Sequence, residues 1–188
     1  MEGKVLWFER PGPENTEATL RAARKRAEEL GIRYLVVATS TGRTGLKAAE
    51  IFRGTGVSVV CVTLHAGLWE KYCSPDPEVV RKAEGMGAKF LTATHTLMGN
   101  VEAAIKERFG GLPPVELIAY TLYLFSQGTK VAVEVAVMAA DAGLIPVDED
   151  VISVAGTDSG ADTALVLRPA YSTDFFALKV REVLAMPR

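Results

Sequence analysis

Tyr34-Leu-Val-Val-Ala-Thr-Ser-Thr-Gly-Arg-Thr44 holds a strand, a turn and the start of a helix in one short stretch. Its first five residues are continuously apolar, the pattern of a strand that a parallel sheet buries on both faces. Hydroxyl residues and a glycine then take over, and a helix is expected from about Thr44 to Phe52. Parallel strands need crossover connections, so this stretch selects the α/β class.

The same alternation continues outward in both directions. Upstream, residues 4–8 read as a strand, and Asn15 or Thr16 caps a helix that runs to Leu30 and stops at Gly31. Leu20, Ala23, Ala27 and Leu30 fall on one face of it. Downstream, residues 57–62, 89–91, 151–155 and 164–167 read as strands. Asp76-Pro77 and Asn100 open helices that reach about Met86 and Phe109, and a further apolar helix is expected over 115–125. Residues 130–142 carry alternating Val131, Val133, Val135 and Val137, yet their alanine content, length and the stop at Gly143 favour helix. The tail, 175–186, reads as either helix or strand. The expectation is one domain, 1–188, with a sheet between two helical layers.

Composition narrows the function. The chain has 188 residues, 21 basic and 23 acidic, and no run of like charge stands out beyond the acidic turn Asp148-Glu-Asp150, which argues against a nucleic-acid partner. No stretch approaches the roughly 20 apolar residues of a membrane span, and the apolar run 5–8 is short for a signal peptide. A cytoplasmic location with no membrane partner is expected, and a homo-oligomer is compatible with the sequence. Cys61, inside an apolar run, reads as a core residue, and Cys73 lies in a loop without a cationic neighbour that would activate it.

Chemistry is expected in the loops that leave the strands at their carboxyl ends. Thr39, Ser40, Thr41, Gly42, Arg43 and Thr44 bring hydroxyls, a flexible backbone and a helix N-terminus together, which is what a phosphate requires. A simple helix cap needs one hydroxyl, and here there are four. Gly156, Thr157, Asp158, Gly160, Asp162 and Thr163 follow another strand, and their carboxylates can accept from ribose-like or ribityl hydroxyls. The two loops are expected to line one site, with Asp162→Ala weakening the ligand and leaving the fold intact. Thr63, His65 and His95 follow two further strands. The histidines suit acid–base work or structural hydrogen bonds, and the absence of close ligand spacing argues against a metal. Trp69 and Tyr72 offer rings to stack on a flavin or to anchor a long loop, and Glu134 is a carboxylate in an apolar helix. No P-loop, no Gly-x-Gly-x-x-Gly and no Gly-x-Ser-x-Gly elbow is present.

Residues 15–23 and 34–44, with 57–63, resemble the C-terminal α/β domain of pyruvate kinase, where a Thr-x-Ser/Thr-Gly-Arg-Ser/Thr loop grips a sugar phosphate. Pro11-Gly-Pro-Glu-Asn-Thr16, Met138-Ala-Ala-Asp141, Gly160-Ala-Asp-Thr163 and Ala185-Met-Pro187 extend the likeness to a stand-alone family with this fold, mostly archaeal and associated with flavin mononucleotide (FMN). The resemblance implies a three-layer α/β/α fold with a mostly parallel, mixed five-stranded core sheet. It also implies FMN as cofactor, phosphate on 39–44, and a possible flavin-dependent oxidoreductase. A non-catalytic sensor of a phosphorylated metabolite is the alternative, and a metal-dependent hydrolase using both histidines a weaker one. Kinase activity is not expected, because the likeness is to the regulatory domain.

Overall fold

The computed structural model describes residues 3–188. The strands are β1 (Leu6–Phe8), β2 (Tyr34–Ala38), β3 (Ser58–Val62), β4 (Lys89–Leu91), β5 (Val151–Ala155), β6 (Thr163–Arg168) and β7 (Lys179–Pro187). They form one sheet in the order β1-β7-β6-β5-β2-β3-β4. Only β6 runs against the others; its pairings with β5 and β7 are antiparallel, and every other pairing is parallel. The sheet is thus mixed as expected, but it has seven strands and not five. Strand β1 was read from the sequence and β7 lies in the undecided tail; the two pair in parallel, Leu6 with Ala185 and Phe8 with Pro187.

The helices are α1 (Thr16–Leu30), α2 (Arg43–Ile51), α3 (Pro77–Glu84), α4 (Val101–Phe109), α5 (Pro114–Tyr123) and α6 (Gln127–Asp141). Strand residues alternate between two cores, as the pleat demands. Leu35, Val37, Val59, Cys61, Ile152 and Val154 meet α1, α2 and α3 on one face. Val36, Val60, Val62, Val151 and Leu165 meet α5 and α6 on the other. This is the three-layer arrangement.

Local signals place the helix ends. Asp76 accepts from the amides of Glu78 and Val79, Asn100 from Glu102, and Ser126 from Thr129, each capping its helix. The valine alternation in α6 did not make it a strand, because the helix is buried almost all round and any side of it can take an apolar residue. The undecided tail is a short 3-10 helix, Ser172–Ala177, followed by β7. Among the described residues no helix is long and apolar enough to cross a membrane.

Candidate functional site

Because six strands point the same way, the loops after β1, β2, β3, β4 and β5 and the N-terminus of α6 all emerge at one edge of the sheet. Along it, β2 lies between β5 and β3. The 39–44 loop therefore sits between 156–162 and the loop that carries His65.

The 39–44 loop divides its hydroxyls between two tasks. Thr39 is buried and its Oγ1 accepts from the Gly45 amide at 3.2 Å, so it caps the first turn of α2. Gly42 stands at φ 92°, a left-handed turn that swings the chain into the helix, with Val79 and Val80 of α3 packed against it. The carbonyl of Thr41 accepts from the Asp76 amide at 3.0 Å, fixing the turn to the start of α3. The hydroxyls of Ser40, Thr41 and Thr44 and the amides of residues 40–44 have no partner among the described residues. Arg43, exposed, has no ion pair among them either.

The neighbouring 156–163 loop is built differently. Asp162 is fully buried; its Oδ2 accepts from Gly12 and Thr157 amides at 3.3 and 3.0 Å, and its Oδ1 from the Thr163 hydroxyl at 2.9 Å. Thr163, also buried, lies 3.2 Å from the Ser126 hydroxyl at the start of α6. Gly160 presses on Pro13, so near that a Cβ would lie 2.5 Å from the proline Cα. Asp162 and Thr163 hold the loop onto the turn at Gly12 and the start of α6, which is a reason for Asp162→Ala to disturb the fold, contrary to expectation. Gly156 and Thr157 are half-buried, and Asp158 is exposed at φ 65°, the one non-glycine residue with a positive φ among the described residues.

On the other side, Thr63 is buried, with its hydroxyl 2.7 Å from that of Thr92 after β4. His65 Nε2 lies 2.9 Å from the Gly99 carbonyl, and its ring meets that of His95 edge-on at 5.0 Å. Burial pushes the His95 pKa below the ordinary imidazole value; Glu134 pulls it up, while His65 and Lys130 add to the lowering. Each imidazole is thus drawn into contacts within the chain, and no group of three or more His, Cys, Asp or Glu side chains is placed to hold a metal ion among the described residues. Trp69 donates from Nε1 to the Leu64 carbonyl at 2.9 Å and so anchors its loop, whereas Tyr72 stays exposed. Burial pushes the Cys61 thiol up to about 12, consistent with a core position.

Sequence reading missed Lys130. Its Nζ bonds buried Glu134 at 2.5 Å, and Glu134 Oε1 accepts from Leu97 and Met98 amides, pinning the loop after β4 to α6. The Lys-to-Glu spacing of four inside an apolar helix was the available signal.

Residues 17–167 match the family described as pyruvate kinase, alpha/beta domain. The chain belongs to that family. Among solved structures, a pyruvate kinase from Cryptosporidium parvum shares 17% identity over 82% of this chain and 23% of its own, with a TM-score of 0.45. The Cryptosporidium parvum pyruvate kinase in complex with ADP shares 16% over 88% and 23%, with a TM-score of 0.40. This pyruvate kinase alpha/beta domain spans less than a quarter of those chains' length.

Proposed function

We propose that the chain binds a phosphorylated nucleotide-like ligand, FMN, with its phosphate in the 39–44 loop. One observation carries the reading. Thr39 takes the Gly45 amide of the first turn of α2, and the remaining hydroxyls and five successive amides are left to face an anion at a helix N-terminus. Arg43 adds a cation at the same place.

FMN as the ligand rests on the sequence resemblance, and the fit of the edge supports it. Gly156, Thr157, Asp158 and Gly160 lie beside the phosphate loop, and exposed Asp158 offers a carboxylate to a ribityl chain. Thr63 and His65 flank the other side. Asp162 and Thr163 contribute by holding their loop in place. Flavin, when bound, supplies hydride or single-electron chemistry of its own, and the protein orients the ring and sets its surroundings. A sensor of a phosphorylated metabolite would use the same loop without redox chemistry, and family membership favours keeping that second reading.

Replacing Thr41 and Thr44 by alanine removes two donors to a charged group, each worth about 1.5–3 kcal/mol. FMN affinity measured by calorimetry is expected to fall by about two to three orders of magnitude, with riboflavin affinity unchanged. Equal FMN affinity in variant and wild type rejects the phosphate assignment. Tight binding of another phosphorylated metabolite with no flavin binding selects the sensor.

A further inference from the structure

The outer side of α5 is apolar and open. Leu117, Tyr120 and Leu124 are 55%, 47% and 83% exposed and recur at helical spacing, forming one stripe that Phe125 extends. The one charged residue of α5, Glu116, is buried and bonded to Lys106 Nζ at 2.6 Å, so the stripe itself is uncharged. Beside it lies a groove of about 310 Å³ lined by Ile118, Leu122, Phe175, Phe176, Leu178 and Val180. Phe176 stands 81% exposed at this groove.

We propose that this face is a homodimer interface, with α5 of one copy packed on α5 of a second copy across a two-fold axis. Area is the first argument. Leu117, Tyr120, Leu124, Phe125, Phe176 and Val180 together leave on the order of 700 Å² of apolar surface open. That exceeds the roughly 300–600 Å² of a typical monomer's largest patch and approaches the roughly 800 Å² each partner gives to a standard interface. Charge is the second. The stripe carries no charge, and the lysines at its margins are held within the chain, Lys106 by Glu116 and Lys179 by the Phe176 carbonyl, so the face offers an acidic or basic partner little to pair with but complements itself. A two-fold interface uses one patch on both sides, and here the same patch holds projecting side chains, Leu124 and Phe125, and a groove to receive them. The interface also borders the ligand edge, because Ser126 follows directly and lies 3.2 Å from Thr163.

The test is the mass of the full chain in solution, by sedimentation and light scattering over a range of concentrations. Wild type is expected at twice the 20.2 kDa chain mass. Leu124→Glu with Phe176→Glu is expected to give single chains with an unchanged circular-dichroism spectrum, since both positions are exposed. Should that pair unfold, the milder Leu124→Gln is expected to weaken dimerisation more than tenfold. Arg21→Glu, on α1 across the sheet, is expected to leave the mass doubled. A wild type that runs as single chains at every concentration overturns the proposal, whether or not another protein or a lipid vesicle binds the face. A folded variant that stays doubled overturns it as well.

Discussion

Asp162 reads in sequence as one more carboxylate in a glycine-rich loop, and in space it is the peg on which that loop hangs. Removing it strands the amide of buried Gly12, at a cost of about 1–3 kcal/mol, and frees the half-buried amide of Thr157 at a smaller one. Asp162→Ala is therefore expected to lower the thermal unfolding midpoint as well as ligand affinity, and a wild-type melting curve contradicts the anchoring role. His95 gives a pH signature. Burial lowers its folded pKa below 6.5, so the folded chain binds that proton less readily than the unfolded one. Its contribution to stability is full above about pH 6.5 and lost as pH falls from there through the folded pKa. Urea unfolding at a series of pH values should show His95→Gln with a shallower loss on the acid side; identical slopes count against it. The hydroxyl-rich turn at 39–44 was legible because strand, hydroxyls and helix start are contiguous, whereas the Asp162 bond to Gly12 spans 150 positions.

Elements meet here through small residues. Gly45 of α2 faces Cys61 of β3 so closely that a Cβ would lie 2.5 Å from its sulfur. Overpacking of this kind costs about 1–3 kcal/mol, so Gly45→Ala is expected to be destabilised by that amount. Cys61→Ala in the same chain should recover part of the loss, because it frees the space the new methyl needs. Additive losses in the double variant, read from denaturant midpoints, refute the contact. Neither glycine nor cysteine showed this partnership in sequence. Helix caps at Asp76, Asn100 and Ser126 are different in kind: a cap acts within a few residues of itself, and two of them, Asp76 and Asn100, were readable from the chain.

Across the whole molecule, stability should be graded. Strands β2, β5 and β6 are interior in the sheet and nearly all their side chains are buried, whereas α4 has no buried residue. Amide exchange is expected to be slowest in β2, β5 and β6 and faster in α4 than in α6. Protection of α4 equal to that of α6 in the isolated chain would show a cover over α4 that the fold alone does not provide. The seven-strand sheet belongs to this scale too. Strand β7 fills the place between β1 and β6, and its outer half is mostly exposed, so its residues carry little of the apolar pattern that marks β2 or β5.

By itself, the sequence determined the α/β class, the order of helices and strands as far as β6, and a hydroxyl-rich turn between β2 and α2. These follow from periodicity, caps and contiguity, forces that act over one or two helical turns. Only the tertiary structure decided that the tail is a strand, that β1 closes on it, and that Asp162, Thr163 and Thr39 turn their polar groups inward. It also left the apolar side of α5 uncovered. Each of those outcomes depends on which distant backbone supplies a hydrogen bond or a packing surface, and a partner far away in the chain leaves no local mark on the residue it will meet.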